Sequence, residues 1–292
     1  MTTQAVDRVA SVPAPATHQR ANRLAYIDAL RGWAILAVLV VHTGLWQTMP
    51  APWNGMVGFG ARGVQLFYIV SAWTLLLSMQ RRFGQERHPY LSFGIRRLCR
   101  IAPMFYVALV LYLWLFGTGP SYWAPNGIRP ACVVANLFFV SGLHPEWINA
   151  IVPGGWSVAV EMTFYLLVPL MYQRIRTLRS AILWTTVWAL GGRLFMEIGE
   201  HWIAPLYPAA QQYLPVAYCS LFWLPSQLAV FGLGIILFYL IPRAQKLGPA
   251  HSLVFLALSG MGAAMMISGH TVRVFLGEFS FAVVLVPLCL GL

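Results

Sequence analysis

Long apolar runs alternate with short polar segments along most of this chain, and the arginines concentrate in the polar segments. Several runs approach the roughly 20 residues that an α-helix needs to cross a bilayer. Inside a bilayer the backbone polar groups of such a run must be satisfied within the helix itself. The pattern therefore predicts an all-α fold, a polytopic membrane helix bundle with about eight spans. The predicted spans cover residues 30–47, 57–79, 101–117, 156–172, 181–195, 222–241, 252–269 and 274–292.

A further apolar run at 131–143 is too short to span comfortably. It lies between two arginine-rich segments, 81–100 and 174–179, which both carry the signature of cytoplasmic loops. Three full crossings between these segments would place the second one outside. We therefore predict that 131–143 is a short segment that is re-entrant or lies shallow on the outer side.

Two stretches outside the spans are predicted to lie on the cytoplasmic side. Residues 1–23 have basic residues but no long apolar run or cleavage site, which indicates a disordered cytoplasmic tail. The stretch from Pro89 to Arg100 is predicted to lie in the membrane interface as a helix, with Pro103 opening the next span. The chain thus divides into a tail, 1–23, and one membrane domain, 24–292, with a cytoplasmic N-terminus.

Composition supports a membrane protein and argues against other classes. The chain is 59% hydrophobic and 9% charged, which a soluble domain of 292 residues could not keep solvated. The net charge of +11 fits contact with anionic lipids and topology signals. Because the arginines fall in short loops and form no single basic face, we do not expect nucleic-acid binding. The four cysteines lack metal-ligand spacing, so no metal site is predicted.

The first predicted span carries an arginine and a histidine on one helical face. Arg31 and His42 are eleven residues apart, which on an α-helix is about three turns and an axial distance of about 16 Å. Polar residues on one stripe of a membrane helix are a functional-site candidate. The alternative for His42 is a hydrogen-bonded packing residue.

Glu161 is the second candidate, because it lies about five residues into a helix that is predicted to enter from outside. Counting residues from the membrane surfaces places Glu161 and His42 at a similar depth. A carboxylate beside a histidine would raise the basicity of the histidine and fix its tautomer, as a general base requires. The alternative is that Glu161 pairs with Arg62 or Arg193.

Arg31 is also expected near Arg97 and Arg100 at the cytoplasmic side. Arginine side chains suit phosphate oxygens. The arrangement suggests a long, thin donor with phosphates at the cytoplasmic end and its reactive group deeper in the bundle. The alternative is ordinary positive-inside placement, with an Asp28–Arg31 pair at the start of the helix.

Four sequence blocks resemble the acyltransferase-3 family of integral membrane acyltransferases. They cover the first 170 residues in family order, and the signal comes from the set and not from any single block. The blocks are Tyr26-Ile27-Asp28-Ala29-Leu30-Arg31-Gly32 with His42; Gly63-Val64-Gln65-Leu66-Phe67-Tyr68-Ile69-Val70-Ser71; Phe93 with Arg96-Arg97, Arg100-Ile101, Pro103 and Tyr106; and Trp156-Ser157-Val158-Ala159-Val160-Glu161 with Phe164-Tyr165 and Pro169.

The resemblance implies transfer of an acyl group, usually acetyl, from acyl-CoA to a hydroxyl of a carbohydrate or lipid-linked sugar acceptor. It implies that His42 is the essential histidine, as general base or transient acyl carrier, with Arg31 as its paired arginine and Glu161 as the motif acid. Arg97 and Arg100 match the Arg-x-x-Arg pair, and with Arg31 they are expected to bind the donor. No tightly bound cofactor is expected. Residues of the same motifs expected to bind substrate are Asp28, Ser71, Trp156, Ser157 and Tyr165.

Two features depart from the family pattern. Ala72 follows Ser71 where the family favours glycine, and no histidine follows the segment 277–281, which is only faintly similar to a late family segment. Since the last apolar run reaches residue 292 without a polar flank, we expect the domain to be incomplete at its C-terminus. The other hypotheses are a transporter or flippase that uses buried charges as a proton relay, and an inactive truncated paralogue.

Overall fold

The computed structural model describes residues 16–44, 60–82, 85–244, 249–267 and 278–291. Within these ranges the regular structure is helical, apart from an isolated bridge between Ser121 and Ala124. The α-helices are α1 (Ala16–Gly44), α2 (Gly63–Arg82), α3 (Pro89–Phe116), α4 (Pro130–Leu137), α5 (Gly155–Arg174), α6 (Leu178–Ile198), α7 (Tyr213–Ala217), α8 (Leu224–Ala244), α9 (Pro249–Ile267) and α10 (Glu278–Gly291).

Four helical stretches of the described chain are long and apolar enough to cross a membrane, which fits a membrane protein. They are Gly63–Arg82, Pro89–Phe116, Gly155–Arg174 and Ala209–Ala244. The all-α fold is therefore confirmed, whereas the count of about eight spans stays a prediction.

Helix α1 begins earlier than the sequence pattern indicated. The tail was predicted to be disordered through residue 23, but the helix starts at Ala16; residues 1–15 lie outside the described part. Pro15 is the last proline before the helix, and the residues after it include good helix formers such as alanine, glutamine and arginine.

Helix α3 runs without interruption from Pro89 to Phe116, with Pro103 inside it. The predicted division into an interfacial helix and a span that opens at Pro103 is therefore wrong. A proline removes one backbone hydrogen bond, here the bond to the carbonyl of Cys99, but membrane helices tolerate this loss where neighbouring groups compensate. Arg96, Arg97 and Arg100 thus lie on the same continuous helix as the apolar half of α3.

The apolar run at 131–143, which was predicted to be too short to span, forms only a short helix in the structure. Helix α4 has 8 residues and is followed by a 3-10 turn at Ser141–Leu143. Eight residues rise only about 12 Å, less than half of the hydrocarbon thickness. The turn is held from the side, because the Tyr218 hydroxyl donates to the Gly142 carbonyl over 2.8 Å and the Trp223 ring packs directly on Gly142.

Helix α2 is buried between its neighbours and is fixed by close backbone contacts. A Cβ atom at Gly63 would lie 2.4 Å from the Ala34 carbonyl oxygen of α1. On another side, a Cβ at Gly234 of α8 would lie 2.2 Å from the Ile69 carbonyl oxygen of α2. Such spacing is possible only where glycine lets two helices approach closely. Gly63 and Gly234 thus fix α2 against α1 and α8.

Candidate functional site

Helix α2 carries a stripe of hydroxyl side chains toward α5 and α1. Tyr68, Ser71 and Thr74 are three residues apart and so lie on one face. The Tyr68 hydroxyl donates to the Ser157 carbonyl of α5 over 3.1 Å. Thr74 lies farther along and meets Arg31 of α1. The stripe places polar groups inside an otherwise apolar core.

Glu161 lies in the second turn of α5, and its side chain is buried. The helix begins after Gly154, whose φ of 76° lies in the left-handed region that favours glycine. The hydroxyls of Ser71 and Tyr165 both donate to Oε1 of Glu161, each over 2.5 Å. A buried acid with two such donors is a strong candidate for a functional group.

Arg97 of α3 completes what we call the Glu161 cluster: Ser71, Arg97, Glu161 and Tyr165. The Arg97 guanidinium lies 5.5 Å from the ring centre of Phe93 and 5.8 Å from that of Tyr165, within cation–π range. Its positive charge acts on Glu161, as does that of Arg100. Nε of Arg97 is buried without a hydrogen-bond partner in the described part of the chain, which leaves a donor beside the cluster.

Arg31 joins α1 to α2 near this cluster. Its Nη1 lies 3.3 Å from Oδ1 of Asp28, and its Nη2 donates to Oγ1 of Thr74 over 2.8 Å. Arg31 is also close enough to Arg97 for their like charges to interact. The structure thus places the side chains of Arg31, Arg97 and Glu161 close enough for their charges to affect one another.

A groove of about 200 Å³ opens between α1 and α2 beside Arg31. We call it the α1–α2 groove. Its wall on α2 runs from Thr74 to the C-terminal end of the helix. The lining residues are Ile27, Asp28, Arg31, Thr74, Leu77, Ser78, Arg81 and Arg82.

His42 lies in the last turn of α1 with its side chain exposed. Nδ1 lies 2.8 Å from the Val38 carbonyl oxygen, which can only accept a hydrogen bond. In neutral His42 the hydrogen therefore sits on Nδ1, and the lone pair of Nε2 is free. This is the tautomer that a general base working through Nε2 requires.

The equal depth expected for His42 and Glu161 is not what the structure shows. A Cβ at Gly60, just before α2, would meet Ala37 and Val41, so that end of α2 lies against the His42 end of α1. Ser71, which holds Glu161, is eleven residues farther along, about 16 Å away. Glu161 is instead near the level of Arg31. The residue count failed because it placed the predicted helix ends at the membrane surfaces, which the packing of α1, α2 and α5 does not follow.

Among the described contacts, His42 and Glu161 share no hydrogen bond or ion pair. The alternative partner Arg193 pairs with Glu197 on its own helix. Glu161 is therefore held mainly by the two hydroxyls and by the charges of Arg97 and Arg100.

The remaining predicted substrate-binding residues have contacts within the fold. Trp156 is buried between the ring of Phe222, 5.1 Å away, and that of Tyr68, 6.5 Å away. Ser157 donates to the Gly154 carbonyl over 2.8 Å in the first turn of α5. Asp28 is exposed and pairs with Arg31. Their predicted roles toward a substrate stay predictions.

Sequence reasoning missed Thr74 and the arginines at the end of α2. Thr74 could have been found from its spacing of three residues after Ser71. Arg81 and Arg82 were interpreted only as a cytoplasmic signal, and no local pattern indicates that α1 passes beside them. In the described part of the chain, no group of His, Cys, Asp and Glu side chains could hold a metal ion.

Comparison with known proteins identifies the same family that the sequence motifs around Glu161 resemble. The model of the acyltransferase-3 family, described as an acyltransferase domain, matches residues 24–292. Acyltransferase MdmB from Streptomyces mycarofaciens is 24% identical over 244 residues, which cover 79% of this chain. The matched region corresponds to 60% of that relative's length. No solved structure matches the chain. Arg31, His42, Arg97 and Glu161 all fall within the family match, and the chain belongs to the acyltransferase-3 family.

Proposed function

We propose that this protein is an integral membrane O-acyltransferase. It transfers an acyl group, with acetyl as the simplest case, from acyl-CoA to a hydroxyl of a carbohydrate or glycolipid acceptor. It resides in the inner membrane with its N-terminus in the cytoplasm, so that the donor arrives from the cytoplasmic side. Family membership supports the reaction class, and the resemblance of the motifs supports the choice of donor and acceptor.

The observation that carries the proposal is the Glu161 cluster. A buried carboxylate with two hydroxyl donors and a stacked arginine is costly to keep inside an apolar bundle. Packing alone gives no reason to retain it. A charged site at the junction of three helices is what an enzyme needs to stabilise charge that develops during a reaction.

The proposed reaction uses His42 as the general base. The acceptor oxygen attacks the thioester carbonyl carbon, forming a C–O bond, and the C–S bond breaks. Nε2 of His42 takes the hydroxyl proton and then returns it to the departing thiolate, so that CoA leaves as the thiol. The Nδ1 contact with Val38 supports this role, since it leaves Nε2 free to accept. Arg31, which lies near the Glu161 cluster, is a positively charged hydrogen-bond donor that can contact acyl-CoA.

The test is transfer of radiolabelled acetyl from acetyl-CoA by the purified protein in lipid nanodiscs. We expect label loss from CoA in the wild type and a decrease of about 100-fold or more in His42→Ala, since a general base contributes that much. His251→Ala is the matched control, because His251 is an exposed histidine outside the proposed site. Full activity of a folded His42→Ala would refute the role of His42.

The same preparation addresses the transporter hypothesis. Movement of a substrate across the bilayer without consumption of acyl-CoA would favour a proton relay through the buried charges. Loss of label from acetyl-CoA that depends on His42 would favour the transferase.

A further inference from the structure

The α1–α2 groove combines three guanidinium groups in one concave site. Arg31 lies at its inner end, and Arg81 and Arg82 lie at its mouth in the last turn of α2. One carboxylate, Asp28, faces them and is occupied by Arg31 at 3.3 Å. The lining therefore carries an excess of positive charge.

The two arginines at the mouth differ in how they are held. Arg82 lies 3.6 Å from Glu86, which is itself bound by Arg96 over 2.7 Å. This leaves the Arg82 charge only partly compensated. Arg81 is exposed and forms no described ion pair or hydrogen bond, so its donors are available to a ligand. Cations at the C-terminal end of a helix are also favoured by the helix dipole, which stabilises the arginines there.

Arg31, the third arginine, lies at the inner end of the groove, on the side nearest the Glu161 cluster. Thr74 binds Arg31, and Ser71, three residues before it, binds Glu161. From Thr74 to Arg82 the rise along α2 is about 12 Å. The groove thus ends at Thr74, one turn of α2 from Ser71, which binds Glu161.

We infer that the α1–α2 groove binds the phosphate groups at the nucleotide end of the acyl donor, with Arg81 and Arg82 as the main anion ligands. This inference rests on the proposed function and changes the residues expected to bind the donor. The sequence pointed to Arg97 and Arg100 for the phosphates. Arg97 instead packs on Phe93 and Tyr165 and acts on Glu161, so it belongs to the inner cluster.

Arginine suits this ligand because its planar fork makes paired hydrogen bonds to phosphate oxygens. The Ser78 hydroxyl, which also lines the groove, can add a neutral donor. The same chemistry would accept the phosphate of an anionic lipid headgroup, and the experiment must separate these two sources.

The experiment measures CoA binding by calorimetry to the full chain in nanodiscs of phosphatidylcholine, a lipid with no net charge. Variants are Arg81→Gln, Arg82→Gln and the double variant, and Arg179→Gln is the matched control. Arg179 is an exposed arginine in the other basic segment and does not line the groove. Adenosine 3′,5′-bisphosphate and dephospho-CoA serve as second probes.

We expect Arg81→Gln to weaken CoA binding about 10-fold, the effect of losing one charged hydrogen-bonded contact. The double variant should lose more, and Arg179→Gln should bind like the wild type. Adenosine 3′,5′-bisphosphate should compete with CoA in the wild type and fail to do so in the double variant.

Three outcomes overturn the inference. Unchanged CoA affinity in a folded double variant, with wild-type binding intact, refutes the groove and leaves the proposed function standing. Lack of CoA binding and turnover by folded wild type refutes both. If the double variant loses only bound phosphatidylglycerol, in nanodiscs that contain it, the groove is a lipid site.

Discussion

The Ser71 hydroxyl of α2 donates to Oε1 of Glu161 on α5 over 2.5 Å, so a buried hydrogen bond ties two neighbouring helices together. Tyr165 donates to the same oxygen from one turn farther along α5. The carboxylate is thus oriented by one hydroxyl from each helix. Orientation of this kind fixes the position of the charge before any substrate binds.

Replacing Ser71 by alanine should destabilise the fold. A hydrogen bond contributes about 0.5–1.5 kcal/mol, and its loss leaves Glu161 with one hydroxyl donor fewer. Thr43→Ala is the control, because the Thr43 hydroxyl bonds only to the backbone of its own helix, at Leu39 and Val40. Denaturant unfolding in detergent should place Ser71→Ala below Thr43→Ala; equal stabilities would mean that the bond between the helices contributes little.

Two substitutions at Tyr165 separate the contribution of its hydroxyl from that of its ring. Tyr165→Phe removes the donor to Glu161 but keeps the ring on which Arg97 stacks. Tyr165→Leu removes both. We expect both variants to lose acyl transfer, and the leucine variant to lose about 0.5–2 kcal/mol more stability, the range of a cation–π contact. A phenylalanine variant with wild-type turnover would show that the hydroxyl is dispensable for positioning Glu161.

Two glycines should respond in opposite ways to a methyl group. Gly63→Ala places a Cβ against the Ala34 carbonyl and should cost about 1–3 kcal/mol by overpacking. Gly94→Ala in α3 meets nothing within 4 Å, so its higher helix propensity should stabilise by up to about 1 kcal/mol. Thermal unfolding of the two variants in one detergent checks the sign of each shift. A stable Gly63→Ala would mean that α1 and α2 can separate without penalty.

The cysteines should divide by their reactivity toward N-ethylmaleimide. Cys99 is exposed, whereas Cys132, Cys219 and Cys289 are buried. Burial raises the pKa of the Cys132 thiol to about 11, so the reactive thiolate is scarce at neutral pH. We expect one label per chain at pH 7, on Cys99, and labelling of Cys132 only as the pH rises toward 11. Mass spectrometry of the labelled peptides decides this, and labelling of Cys132 at pH 7 would contradict its burial.

The positions of the apolar helices followed well from the sequence. The runs at 156–172 and 222–241 correspond to Gly155–Arg174 and Leu224–Ala244, because each is bounded by glycine, proline or arginine. The error at Pro103 has a physical source. Proline removes one backbone hydrogen bond and often ends a helix in water, but membrane helices continue through a proline more readily than soluble ones.

The site was predicted residue by residue, but its assembly was not. The local pattern identified Arg31, Ser71 and Glu161, yet it could not indicate which helices face one another. The Arg31–Thr74 hydrogen bond joins α1 to α2, and Arg97 of α3 approaches Tyr165 of α5, so both contacts depend on which helices pack together. The depth counted for Glu161 also failed, because the count took predicted helix ends as the membrane surfaces.

The glycine contacts on two sides of α2 limit which parts of the bundle can move. The helix backbones are in direct contact at these two glycines. Helix α2 therefore cannot slide past α1 near Gly63 or past α8 near Gly234 without a steric clash. Helix α3, in contrast, is only 17% buried over its apolar window. Most of the α3 surface is therefore free to contact lipid, whereas α2 keeps the α1–α2 groove and the Ser71–Glu161 hydrogen bond in a fixed arrangement.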